Sequence, residues 1–315
     1  MKKTLNFYWN ILKKTTQHWN DSSAMKDSAS LAYYAIFSIP GLLIIVIWLA
    51  GYFFGEEAVK GEINRQIGYA MGEDTAKSIE GIIKSSLIDK EGWFMKIVGV
   101  FSMVFGATTI FFQLQKSLNA LWDVEPAPRK AIVAFLLDRA NSLGMVLIIG
   151  FLMMITMVLS TVVAYFGNLM SLYFGTEVYL LAQGLNFGVG FLVVMVLFAL
   201  IFKVLPDANV QWKGVWSGAF FTAILFTIGK FLLSYYFATA NPTSAFGTAG
   251  TIILVMMWIN YTCMLLFFGA EFTKIYSEEK GFAIKPSKHA KWSAEKRYTQ
   301  ALEQIQANDR DAQSI

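Results

Sequence analysis

The residues of this sequence best placed to do chemistry are polar side chains set inside long apolar runs. Ser102, Gly106, Thr109, Gln113 and Lys116 recur at steps of four and three, so they share one face of a helix. Thr108, Gln115 and Asn119 form a stripe beside them. Asp27, Leu31, Tyr34 and Ser38 align in the same way just before Pro40, and Asn260, Met264, Phe267 and Glu271 do so farther along. An amide, ammonium or carboxylate turned toward lipid is costly, so these faces are expected to line a bundle interior or a wet cavity. The candidate cavity or translocation residues are therefore Asp27, Tyr34, Ser38, Pro40, Gln113, Lys116, Asn119, Asn260 and Glu271. Two arrangements fit Lys116. It pairs with Glu271 or Asp27 at the mouth of a central cavity, or it reaches along its own stem to the membrane surface while Glu271 pairs with Lys274.

Other chemistries find few residues to carry them. The two histidines, His18 and His289, stand at opposite ends of the chain, and neither belongs to a motif with metal-ligand spacing. Cys263 is the single cysteine and lies in an apolar run, which leaves the redox compartment unreadable. No Gly-Lys-Ser or Gly-Lys-Thr occurs, so an intrinsic ATP motor has no phosphate loop. No catalytic, cofactor-binding or metal-binding residue is expected, no cofactor is implied, and the chain does not read as an enzyme.

The elements that must position the polar faces follow from composition. Of the 315 residues, 56% are hydrophobic and 15% charged, against about 25% charged in soluble domains. The excess apolar surface calls for a bilayer. About 20 apolar residues cross the hydrocarbon core as a helix, and six segments qualify: Leu31–Phe54, Trp93–Trp122, Leu143–Phe166, Gln183–Leu205, Gly214–Phe237 and Gly250–Tyr276. The alternation that a membrane barrel needs is absent from these runs. The expected fold is all-α and polytopic. Residues 1–30 form an amphipathic N-terminal segment, 31–276 a six-helix transmembrane domain, and 277–315 a polar tail. No cleavable leader is expected, because about 30 polar and amphipathic residues precede the first apolar run.

Charge sets the direction. Lys2, Lys3, Lys13, Lys14 and Lys26 precede the first span, and Arg129, Lys130, Arg139, Lys203 and Lys213 fall in the loops on the same side. Eight more basic residues lie between Lys274 and Arg310. The opposite side receives five, all in the loop 55–92, which also holds eight acids. This positive-inside bias places both termini in the cytoplasm.

Several features lie outside the spans or concern their packing. Leu5, Trp9, Leu12, Thr16 and Trp19 are spaced for a helix lying on the inner membrane surface. Ile63, Ile67, Ile79, Ile82, Ile83 and Leu87 suggest two short amphipathic helices capping the outer face. One short helix is expected at Ser293–Gln306. Gly184 with Gly188, and Gly214 with Gly218, have the spacing of small-residue helix contacts. The uncharged loop Ala238–Gly250 fits a tight outer turn or a re-entrant segment.

Three stretches resemble the YihY/BrkB family of bacterial inner-membrane proteins, once labelled ribonuclease BN. They are ASLAYYAIFSIPGLL at Ala29–Leu43, QLQKSLNALWDVE at Gln113–Glu125, and SAFGTAGTIILVMMWINYTCMLLFFGAEFTKIY at Ser244–Tyr276. The resemblance covers about residues 5–280 and implies a six-helix protein of the inner membrane with a transport or lipid-related role. The old nuclease label fails on the histidine count. The function expected is a transporter or exporter of a lipid or small solute, through a cavity between helices one, two and six, with an envelope scaffold as the alternative. Its expected partners are membrane lipids and the carried substrate, without nucleic acid; a homo-oligomer is compatible with the sequence.

Overall fold

The computed structural model describes residues 2–86, 93–128, 176–240 and 248–313, together with scattered positions between 140 and 163. Among the described residues the helices are α1 (Lys2–Asp21), α2 (Ala24–Phe54), α3 (Glu56–Met71), α4 (Glu73–Ser86), α5 (Trp93–Leu121), α6 (Thr176–Val204), α7 (Trp212–Ala240), α8 (Thr248–Glu279) and α9 (Ala294–Gln313). Four two- or three-residue strands join them: β1 (Val124–Pro126), β2 (Ala208–Asn209), β3 (Lys285–Pro286) and β4 (Ala290–Trp292). The third expected span, Leu143–Phe166, lies largely outside the described residues, as do the middle of the loop Ala238–Gly250 and the segment 87–92.

Among the described residues, four stretches are long and apolar enough to cross a membrane: Ala24–Trp48, Gln183–Val204, Trp212–Phe237 and Gly250–Glu279. At 1.5 Å per residue, the shortest of them, 22 residues, is about 33 Å long, close to the hydrocarbon thickness. Their outward faces carry bare apolar side chains, including Trp48, Tyr52, Phe187, Phe231 and Leu232. In water that much exposed apolar surface would aggregate; in lipid it is solvated.

The helices pack as a row, α5 on α2, α2 on α8, α8 on α7 and α7 on α6, with α1 laid against α8. Leu31, Leu118, Trp122, Phe202, Val215 and Phe267 make the middle of the core. Pro40 sits inside α2 without ending it, although its ring removes one backbone donor.

The α7–α8 contact depends on small residues. A Cβ on Gly214 would meet Ser277, one on Gly218 would meet Thr273, and one on Gly269 would meet Thr222. Each step of four along α7 is matched by a step of four back along α8, so the two helices run antiparallel in register. Thr222 donates to the Gly218 carbonyl (2.7 Å) and Thr273 to the Gly269 carbonyl (2.7 Å). Each hydroxyl is thus satisfied within its own helix while its side chain fills the notch opposite. Gly184 and Gly188, which have the same spacing, are exposed, and no described residue lies within 4 Å of a Cβ on either. Among the described residues the expected contact forms at the second pair.

The α3–α4 hairpin turns at Gly72 (φ 92), a conformation open to glycine at little cost. It buries Val59, Ile63 and Ile79 against Val46, Ile47 and Val255 near the distal ends of α2 and α8. The N-terminal helix departs from its expected stripe. Ile11 and Thr15 are the buried line, with Ile11 against Phe272 and Ile275, while Trp9 is 69% exposed. Lys14 pairs with Glu279, and Lys280 lies 4.7 Å over the Phe7 ring. The Ile11 and Thr15 line packs on α8, and the Trp9 and Thr16 side of the helix stays exposed.

Candidate functional site

The polar stripes of α5 divide between inside and outside. Thr108, Gln115, Ser117 and Asn119 are buried, whereas Lys116 is exposed and Thr109 and Gln113 are half-buried. Both stripes are expected inside; the one through Gln115 and Asn119 is buried, and in the other Lys116 is exposed. Gly106 marks the crossing with α2, where a Cβ would stand 3.4 Å from the Phe37 carbonyl oxygen. On the α2 side of that crossing Tyr33, Tyr34 and Phe37 are exposed. Ser38 is buried and donates to the Tyr34 carbonyl at 2.9 Å.

Asp27, in the first turn of α2, accepts from the Ser23 hydroxyl at 2.8 Å. Lys116 belongs to no ion pair among the described residues, so it meets neither Asp27 nor Glu271. Glu271 is buried, with its Oε2 lacking a hydrogen-bond partner. The Asn260 Oδ1 is likewise unpartnered. Lys274, one turn beyond Glu271, donates instead to Asp123 (2.9 Å) and to the Leu121 carbonyl (2.8 Å). Among the described residues, Lys116 and Tyr34 are exposed and Gln113 is half-buried, while Asn119 and Glu271 belong to the interior.

Asn119 finds a partner that sequence reasoning missed. Its Nδ2 donates to Asp207 Oδ2 (2.9 Å), its Oδ1 accepts from the Asp207 backbone N–H (2.8 Å), and Gln115 Nε2 adds a third bond (3.2 Å). Asp207 follows α6 directly, and its carbonyl accepts from the Ser287 N–H at 3.0 Å. The clamp joins the end of α5, the α6–α7 loop and the tail. Strand pairing extends it: β1 pairs with β4, and β2 pairs with β3, both antiparallel. Trp122 closes the same end, with its indole N–H donating to the Ala270 carbonyl (3.2 Å). Asp123 stands at φ 55 just past α5, where glycine is usual. Its carboxylate repays that position by holding Lys274. The proximity of Asp207 to the "Asn-Ala-Leu-Trp-Asp" segment has no periodic signal, because 88 residues separate the partners.

Apolar membrane-length helices, lipid-facing aromatic side chains and a polar clamp at one end define an integral membrane protein built from helices. The chain belongs to the family described as virulence factor BrkB, whose model matches residues 15–294. It is similar to the putative ribonuclease-like protein YfkH of Bacillus subtilis, 25% identical over 280 residues, covering 88% of this chain and 97% of that one. It is also similar to a UPF0761 membrane protein of Mannheimia succiniciproducens, 24% identical over 257 residues, covering 80% and 84%. No solved structure matches the chain.

Proposed function

We propose that this protein is a carrier or exporter of a lipid or small amphiphilic solute, resident in a bacterial inner membrane with six spans and both termini in the cytoplasm. The observation that carries the reading is the exposed face of α5. Lys116 is exposed there, one turn from exposed Phe112 and on the face of exposed Phe105, with half-buried Gln113 next to it; α2, which packs on α5, exposes Tyr33, Tyr34 and Phe37. A cation and an amide on a lipid-facing helix are costly unless a polar group comes to meet them. An anionic headgroup at Lys116, with its apolar part along the aromatic side chains, supplies that partner. This moves the substrate path from a central cavity between helices one, two and six to the α2–α5 face. The carrier acts without covalent chemistry, and its coupling, if any, is to an ion gradient.

The test compares the lipid and metabolite contents of cells with and without the protein, then of cells carrying Lys116→Ala. Accumulation of one species on deletion, reproduced by Lys116→Ala in a normally folded protein, supports the reading. Unchanged profiles in both strains refute it. An envelope scaffold is the second reading. It is favoured by α9, whose Tyr298, Leu302 and Ile305 are exposed at steps of four and three, the spacing of an amphipathic docking helix.

A further inference from the structure

The cap hairpin carries a second site. Between α3 and α4 lies a cleft of about 440 Å³ lined by Asn64, Arg65, Gly68, Glu73, Lys77 and Glu80. Most charges of α3 are already matched. Lys60 pairs with Glu57 (2.9 Å) and Glu56 (3.6 Å), and Arg65 with Glu62 (2.5 Å). Asn64 holds the Glu80 carboxylate by a 2.8 Å bond. Glu73 and Lys77, one helical turn apart, could pair on α4, yet neither belongs to an ion pair among the described residues. Both are exposed at the cleft. Gly68 leaves its side of the cleft open, with nothing within 4 Å of a Cβ built there.

The lining holds two cations, Arg65 and Lys77, and two carboxylates, Glu73 and Glu80. A simple anion would meet the carboxylates and a simple cation would meet the lysine; a ligand bearing both charges satisfies each. The hairpin packs on Val46, Ile47 and Val255, near the ends of two membrane-length helices. On the membrane reading proposed above, which this placement rests on, those ends reach headgroup depth, where the abundant zwitterions carry phosphate and ammonium. We propose that the α3–α4 cleft binds a phosphoethanolamine group, its ammonium toward Glu73 and Glu80 and its phosphate toward Lys77 and Arg65. The site stands on the hairpin alone and is independent of substrate movement along α2 and α5.

The test uses the full chain in nanodiscs of phosphatidylglycerol, with glycerophosphoethanolamine added and binding followed by phosphorus NMR. Saturable binding is expected, weakened about tenfold or more by Lys77→Gln or Glu73→Gln, since charge-assisted bonds are the strong ones. Gly68→Gln fills the cleft from a position with room for a side chain and should abolish binding. Repeating the titration in phosphatidylethanolamine nanodiscs identifies the source. Competition there marks a lipid headgroup as the ligand, and undiminished binding marks a free solute; either outcome supports the site. Absence of saturation, equal binding of glycerophosphoglycerol, or unchanged affinity in Gly68→Gln overturns it.

Discussion

Replacing Gly218 with alanine tests the α7–α8 notch by the sign of its effect. On an exposed helix face, Gly→Ala stabilises by up to about 1 kcal/mol, because alanine loses less backbone entropy. At Gly218 the new methyl would lie 2.8 Å from the Thr273 Cβ and 3.2 Å from its Cγ2. Ordinary carbon contacts are about 3.5–4.0 Å, so the helices must part by about an ångström or Thr273 must leave its rotamer. Thr273 is fully buried and its hydroxyl is tied to Gly269, which leaves it little freedom to yield. Overpacking of this kind costs about 1–3 kcal/mol, enough to outweigh the propensity gain. Gly218→Ala should therefore destabilise by about 1 kcal/mol net, measured by SDS titration in mixed micelles. Gly184→Ala and Gly188→Ala should be neutral or stabilising. Adding Thr273→Ala to Gly218→Ala removes two of the colliding atoms, Oγ1 and Cγ2, while the Cβ stays, and should recover part of the loss, giving a coupling above about 0.5 kcal/mol. A Gly218→Ala protein as stable as Gly184→Ala, or a double variant showing no coupling, would refute the packing argument.

Asn119→Ala strips Asp207 of two bonds at a buried position and should cost about 1–3 kcal/mol, seen as a lowered thermal midpoint in nanodiscs. Trp122→Phe loses the bond to Ala270 and leaves a cavity where the second ring stood; a cost of about 2–3 kcal/mol is expected, below the ~3–5 kcal/mol for Trp122→Ala. Ending the chain after Ile284 removes β3 and β4, so backbone amides of 123–128 and 206–210 should exchange with solvent markedly faster while those in the middle of α7 do not. Lys274→Met leaves the Asp123 carboxylate without its closest cation; a fall in the thermal midpoint that Asp123→Asn added to Lys274→Met largely reverses is the expected signature of that pair.

Periodicity told which residues share a face and left open where the face points. The stripe through Gln113 and Lys116 and the stripe through Gln115 and Asn119 are both polar in sequence; only the burial of Gln115 and Asn119 and the exposure of Lys116 tell them apart. The two glycine pairs make the same point, since Gly184 and Gly188 match Gly214 and Gly218 in spacing but meet no neighbour among the described residues. The cap was legible because Ile63 and Ile79 repeat with their helices' turns, and apolar repeats of that kind need a surface to cover. The membrane helices were legible for the same reason of apolar length. The clamp was not, because Asp207 lies in a short loop and strands of two or three residues leave no pattern of their own. The tail helix was expected at Ser293–Gln306 and runs on to Gln313, its later turns being too polar for an apolar repeat to mark them.

The antiparallel pairing of the tail also fixes how the molecule would bear a pull. Traction applied beyond α9 reaches β4 first, then shears it against β1 at the foot of α5 before β3 can part from β2 at the foot of α6. A load on one terminus is therefore shared by helices that begin more than 100 positions earlier in the chain. A bead or tether placed there would rupture the hairpin contacts in sequence, giving two separate force steps before any transmembrane helix left the bilayer.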